Sequence, residues 1–337
     1  MGNCHGHHRK RRNGPVSSET ASSGFKYGLS GQAAQIPCSS SSSAKRTSNM
    51  VVALLYAHVD SILRALASQA EGFGRLTVGG LNGAVYHVTT LAVACGSLNL
   101  MPLWIVFEIS GTIHLQSHLN ISSIRCDGIQ IKPNSKHIWI DRCSLRDYED
   151  GLIDISRGST NITISRCHFS QHDKTILIGA DPSHIDDRCI RVTIHHCFFD
   201  GTRQRYPRVR FAKVHLYNNY TRNWGIYVVC ASVESHIFSE CNIYEAGKKK
   251  VAFKYLTEKA ADKETAVTGH IRFEGDLFVT GTQAGLSPDG GEHCMFHPTQ
   301  HYQTWTKGPP VDDLMHVLQH CTGWQGVPRP GDQGVAT

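Results

Sequence analysis

Ile140-Asp141-Arg142-Cys143, Ile164-Ser165-Arg166-Cys167, Ile194-His195-His196-Cys197, Leu216-Tyr217-Asn218-Asn219 and Phe238-Ser239-Glu240-Cys241 are five versions of one pattern. Each opens on a large apolar residue, passes through two mostly polar ones and closes on Cys or Asn. The closing positions lie 24, 30, 22 and 22 residues apart, and most units add an apolar residue two further on (Leu145, Phe169, Phe199, Ile243). A period in the low twenties marks a solenoid, whose units bury their apolar faces only against their neighbours. Ile138–Ile140, Ile162–Ile164, Val192–Ile194 and Val214–Leu216 are rich in β-branched residues, as strands are. A leucine-rich repeat shares the period but needs a leucine framework that this chain lacks. The fold read from the pattern is all-β: a right-handed parallel β-helix with loops of unequal length.

In such a coil equivalent positions stack on one another. Cys143, Cys167, Cys197, Asn219 and Cys241 are therefore expected to form one internal ladder. Twelve cysteines are an even count, which in a secreted chain suggests a disulfide framework. On a ladder, however, a small and easily buried thiol packs well unbridged, so these four are read as free core cysteines. Cys126, Cys189, Cys230, Cys294 and Cys321 lie off the ladder, and one pair among them is open to bridging.

The chain has 337 residues and a net charge of +6. Seven of its 34 basic residues and one of its 28 acidic residues fall in residues 1–50, so the remainder is balanced at 27 of each. Affinity for an anionic partner must then come from a local cluster, and a nucleic-acid partner is not expected. Residues 1–50 are Ser-rich, basic and poor in large apolar side chains, as disordered tails are. The folded domain is expected over 51–337. Within it Val59, Ile62, Leu63 and Leu66 share one helical face, which predicts a short amphipathic helix over 51–69 that caps the coil. No secretory leader and no membrane-spanning segment is read in the chain. Met1-Gly2-Asn3-Cys4 resembles an acylation signal, except that Gly6 replaces the usual Ser or Thr. Membrane association is expected only if Gly2 and Cys4 carry lipid, and the protein is read as a monomer.

The chemistry concentrates between Asp150 and Arg210. Asp150 and Asp154 are four apart, Lys174 follows, and Arg205 and Arg210 bracket Pro207. Carboxylates hold hard cations through oxygen, and arginine clamps a carboxylate with two prongs. Taken singly, an acid pair on a turn or a solvated lysine needs no function. Together they suit an acidic substrate bridged to the protein by Ca²⁺.

Several ordered motifs resemble the plant pectate lyases: Trp139-Ile140-Asp141-Arg142-Cys143-Ser144, Asp150 to Asp154, His172-Asp173-Lys174, and Arg205 to Arg210. Gly79-Gly80, Val88 to Leu91, Trp104 to Gly111, and Trp305 with Cys321 to Trp324 extend the likeness over roughly residues 55–330. The resemblance implies a parallel β-helix that cleaves de-esterified homogalacturonan by β-elimination with Ca²⁺. It implies that Asp127, Asp150 and Asp154 hold the ion, that Lys174 and Arg210 bind substrate carboxylate, and that Arg205 removes the C5 proton. An arginine base implies an alkaline optimum. The family is secreted to the cell wall. Trp139 and Asp141 are expected to play structural parts near the site. Asn120, Asn161 and Asn219 lie in glycosylation sequons, and Asn219, on the ladder, is expected to stay unmodified.

Two departures from the family pattern stand out. Ser122 to Cys126 joins the Gly111-Thr112-Ile113 strand directly to Asp127, as though one or two rungs were missing. Loss of whole rungs is compatible with a solenoid, whereas a partial rung would displace Asp127 from Asp150 and Asp154. Arg142 stands where the family has His, a change expected to alter packing alone. The alternatives to an active lyase are a non-catalytic pectate-binding homologue and a pectin hydrolase on the same fold, which would need paired carboxylates to activate water.

Overall fold

The structure is a computed structural model, and it describes residues 69–77, 111–114, 127–131, 133–148, 150–287 and 296–323. The chain divides into two units, Met1–Asn49 and Met50–Thr337, and every described residue lies in the second. The expected tail over 1–50, the helix over 51–69 and the Ser122 to Cys126 junction lie outside the described residues.

The β-branched segments form strands that wind in threes. β1 (Gly111–His114) precedes six successive rungs. These are β2 (Ile129–Ile131), β3 (Lys136–Asp141) and β4 (Ser144–Leu145); β5 (Gly151–Ile155), β6 (Thr160–Ser165) and β7 (His168–Ser170); and β8 (Lys174–Ile178), β9 (Arg191–His195) and β10 (Phe198–Asp200). Then come β11 (Arg208–Val209), β12 (Lys213–Tyr217) and β13 (Tyr220–Arg222); β14 (Val229–Ala231), β15 (His236–Glu240) and β16 (Ile243–Glu245); and β17 (Phe253–Tyr255), β18 (His270–Glu274) and β19 (Leu277–Val279). Corresponding strands of successive rungs pair in parallel. The result is three sheets: β1-β3-β6-β9-β12-β15-β18, β4-β7-β10-β13-β16-β19, and β2-β5-β8-β11-β14-β17. This is the parallel β-helix that the repeat predicts.

Like residues stack inside the coil. Ile138, Ile162, Val192, Val214, Ile237 and Ile271 are in register and buried. Leu145, Phe169, Phe199, Thr221, Tyr244 and Phe278 form a second inward file, in which the Phe169 and Phe199 rings stack at 4.8 Å. The outer face of the second sheet is covered by α1 (Asp312–Cys321), whose Leu318 packs on Phe198, Tyr220 and Ile243.

The ladder exists, with one member corrected. The turn between the first and second sheets has two residues, and the first is left-handed in each rung: Arg142, Arg166, His196, Asn218, Cys241 and Gly275, with φ between +48° and +65°. The second residue points inward, so the ladder runs Cys143, Cys167, Cys197, Asn219, Asn242, Asp276. Cys241, expected on the ladder, is instead the left-handed, part-exposed residue one position earlier. Ile243 likewise faces α1, and Tyr244 takes the inward place. The other described ladder cysteines, Cys143, Cys167 and Cys197, are buried and unbridged, as is Cys230 off the ladder. Cys189 and Cys321 are free and exposed, while Cys126 and Cys294 lie outside the described residues.

β1 pairs with β3 in the first sheet, with Gly111 opposite Ile138 and Ile113 opposite Ile140. In the third sheet β2 pairs with β5, with Gln130 opposite Asp154.

Candidate active site

The charged residues collect on the outer face and leading edge of the third sheet. Along its strands Gln130, Asp154, Leu177, Arg208, Cys230 and Lys254 lie in register, pointing away from the buried Ile153 and Ile155 file. Gly151 is opposite Lys174, which bridges to Gln204 on the next rung. The parallel ladder therefore brings residues 22 to 31 apart in sequence onto neighbouring strands.

Asp127, Asp150 and Asp154 meet around Gly151. Asp127 Oδ1 accepts from the Gly151 amide at 2.6 Å, and its Oδ2 accepts from Gln130 Nε2 at 2.8 Å. A Cβ on Gly151 would lie 2.8 Å from Asp127 Oδ1 and 3.1 Å from Asp154 Oδ1, so only glycine leaves room for both carboxylates. Asp154 is driven up to about 7 by burial, then by the charge of Asp127 against the opposing pull of Arg205, with Asp150 adding to the rise. Asp150 is more exposed and forms an ion pair with Lys174 Nζ, while its carbonyl meets His172 Nε2 at 2.8 Å.

Crowded acids with one held near neutrality are the electrostatic signature of a place that a cation would relieve. The donor set is all oxygen and thus fits a hard ion. Among the described residues no three acidic, His or Cys side chains converge tightly enough to form a finished metal cage. The pair Asp127 and Asp154 is gathered; Asp150, turned to Lys174, is the outlying third.

Arg205 lies beside this group. Its strand neighbour is Ile176, whose amide donates to the Arg205 carbonyl at 2.7 Å. Among the described residues its Nε is buried without a hydrogen-bond partner, and its charge opposes the burial that raises the hydroxyl of the buried Tyr227. Arg210 is placed differently. It is buried, with Nε donating to Glu258 Oε2 at 2.7 Å, a second nitrogen donating to Glu258 Oε1 at 2.9 Å, and a third reaching the carbonyls of Gly179 and Ala180. Arg208 shares the same glutamate at 2.8 Å. Burial tends to raise the Glu258 carboxyl, but Arg210 and Arg208 hold it below its ordinary value. The structure thus brings Asp127, Asp150, Asp154, Lys174 and Arg205 together and ties Arg210 to Glu258.

Trp139 and Asp141 belong to the first sheet rather than to the charged one. Trp139 Nε1 donates to Ser165 Oγ at 2.8 Å, and Asp141 is buried between Ser165 and Arg166, with Arg142 pairing at its other oxygen. Tyr227 and Glu258 escaped the sequence reading. Neither belongs to a charge pattern, and each reaches the site from another rung. Arg208 was legible as a middle member of the arginine motif.

The fold and its charged sheet define a parallel β-helix that gathers acids and cations on one outer face. A family model described as pectate lyase matches residues 77–287, and the chain belongs to the pectate lyase family of enzymes. It is 33% identical over 278 residues to probable pectate lyase 4 of Arabidopsis thaliana, covering 66% of this chain and 74% of that protein. It is 30% identical over 298 residues to pectate lyase 1 of Ambrosia artemisiifolia, covering 68% and 74%. The crystal structure of jun a 1, the major allergen from cedar pollen, is 30% identical with a TM-score of 0.49, covering 59% of this chain and 57% of that one.

Proposed function

We propose that the protein is a calcium-dependent pectate lyase that cleaves de-esterified homogalacturonan by β-elimination, with Arg205 taking the C5 proton. The observation that carries this reading is the meeting of Asp127 and Asp154 over Gly151 with Arg205 at their side. Asp127, Asp154 and Asp150 would hold the ion. Bound there, Ca²⁺ supplies positive charge beside the uronate carboxylate and so makes the C5 proton easier to remove.

The remaining work falls to side chains. Removing the C5 proton builds negative charge on the carboxylate, which Lys174 and the arginines would balance. The electron pair left at C5 forms the C4–C5 double bond as the C4–O bond breaks. Arg205, the group proposed to take that proton, keeps its Nε without a hydrogen-bond partner among the described residues. Lys174 is paired with Asp150, so a substrate carboxylate would gain Lys174 by replacing Asp150 in that ion pair. Arg210 must exchange Glu258 for the substrate, one two-pronged carboxylate contact for another. In the cell wall, where the family acts, the partner is the pectate chain, and the protein works as a monomer.

The test is purified protein with polygalacturonate at alkaline pH, with and without a chelator. Ultraviolet absorbance of an unsaturated product that chelator abolishes is the expected result. Reducing ends without absorbance would point to hydrolysis. Binding without any product would point to the non-catalytic homologue.

A further inference from the structure

Residues 246–257 carry four lysines, Lys248, Lys249, Lys250 and Lys254, and no acidic residue. They lie at the end of the charged sheet: β17 is its last strand, and Lys254 is in register with Cys230, Arg208, Leu177 and Asp154. All four are exposed. The following acid, Glu258, is taken by Arg208 and Arg210, so it leaves the lysine charge uncancelled. Lys250 Nζ donates to the Thr280 carbonyl at 2.8 Å, which fixes the run against the neighbouring turn.

Lys254 is seated. Its Nζ stands 5.3 Å from the centre of the Tyr227 ring, close enough for a cation–π contact that holds a flexible side chain in place. The charge of Arg205 acts on the hydroxyl of the same tyrosine. One buried ring thus seats Lys254 and neighbours the cation at the candidate catalytic position.

We propose that Lys254, together with Lys248 and Lys249, forms an anion subsite for a uronate carboxylate remote from the bond that breaks. The inference rests on the reading of the charged sheet as an acidic-polysaccharide site. Paired strands stand about 4.8 Å apart, so β5 and β17, four steps apart, are separated by roughly 19 Å. A polymer lying along the sheet reaches both ends, whereas a trimer held at the acid cluster does not span that distance. The subsite therefore acts on long substrates and, being exposed, weakens as salt rises.

The experiment measures binding, so it does not depend on turnover. Polygalacturonate and trigalacturonate are titrated into full-length protein and into the K248Q/K249Q/K254Q variant at low and at raised salt, with melting temperature checking the fold. Polymer affinity is expected to fall about fivefold to tenfold in the variant, trimer affinity to fall much less, and the salt sensitivity of polymer binding to shrink. A K254Q single variant, which leaves the loop intact, should show the same bias at about twofold. Equal polymer binding by variant and wild type, or equal losses for polymer and trimer, overturns the subsite alone. Failure of the wild type to bind either ligand overturns the acidic-polysaccharide reading and the subsite with it.

Discussion

Two outward-opposed files of this coil behave oppositely. On the turn ladder each side chain finds its partner one rung away at the same position. Cys143 N donates to Cys167 Sγ, Cys197 N to Asn219 Oδ1, Asn219 N to Asn242 Oδ1 and Asn242 N to Asp276 Oδ1. On the charged sheet the file reads Gln130, Asp154, Leu177, Arg208, Cys230, Lys254, and the residue type changes at every step. There partners come from elsewhere: Glu258 for Arg208 and Arg210, Tyr227 for Arg205 and Lys254. Where a solenoid repeats, the side chains hold the rungs together. Where it stops repeating, they are free to do chemistry.

The comparison breaks most visibly at Arg205. If the charged sheet is built for reaction, Arg205→Ala should lower turnover of polygalacturonate by about 10² to 10⁴-fold, the range of a lost general base. Its melting temperature should stay close to wild type, since among the described residues the side chain's Nε has no hydrogen-bond partner to lose. The rate is read from product absorbance. A variant that keeps most of its rate removes Arg205 from the role of base and assigns the proton to another group.

The reverse experiment removes a ladder residue. Asn242 is buried and bonded on both sides: its Nδ2 donates to the Leu216 carbonyl at 3.0 Å, and its Oδ1 accepts from the Asn219 amide at 2.8 Å. Asn242→Ala strands both partners, at a cost of about 3 kcal/mol in denaturant unfolding. Turnover per folded molecule should not change. A loss of rate with stability intact would mean that the two files are not separable.

The contrast also explains what the sequence disclosed. The repeat was legible because the ladder and the apolar file restrict residue type at fixed steps. Its fifth unit was misread because Cys241 matches the residue type, whereas the slot is set by backbone: the left-handed residue comes first, and Asn242 follows it. Asp127, Asp150, Asp154, Lys174 and Arg205 were legible from a family resemblance, and the parallel register shows why they meet. Glu258, 48 residues beyond Arg210, gave no local signal, because rung stacking and not sequence spacing brings the two together. Tyr227 was hidden for the same reason.

Asp276 sharpens the comparison with a smaller effect. It ends the ladder where the preceding rungs have Asn, and burial drives its carboxyl up to about 7, against the lowering influence of bonds from Ser239 and Asn242. Its folded value therefore lies above the unfolded value of 3.8. The folded state holds the proton more tightly, so this group's contribution is most favourable at low pH and is lost as pH rises from about 4 through 7. Asp276→Asn keeps an oxygen that accepts from Asn242 and adds an amide N–H that donates to Ser239 Oγ. It should be more stable than wild type at pH 8 by about 2 kcal/mol, a figure discounted for part exposure. The gain should vanish near pH 4. A difference independent of pH would show that the acid is not protonated in the coil.

The smallest expected effect separates the two halves of the ladder. Cys167 is fully buried, but its sulfur makes only weak contacts: Sγ lies 3.2 Å from the Ser165 carbonyl and 3.8 Å from that of Ile140, and it accepts from Cys143 N at 3.4 Å. Burial raises its thiol well above the ordinary value, with the Cys143 side chain opposing and that of Cys197 assisting, so it stays a neutral, space-filling group. Cys167→Ala therefore loses packing more than hydrogen bonding, at about 1 kcal/mol, roughly a third of the cost at Asn242. Denaturant midpoints of the two variants at constant m-value test the ratio. Equal losses would mean that the sulfur rungs are held as firmly as the amide rungs, and that the ladder is one continuous device rather than a polar half joined to a packed one.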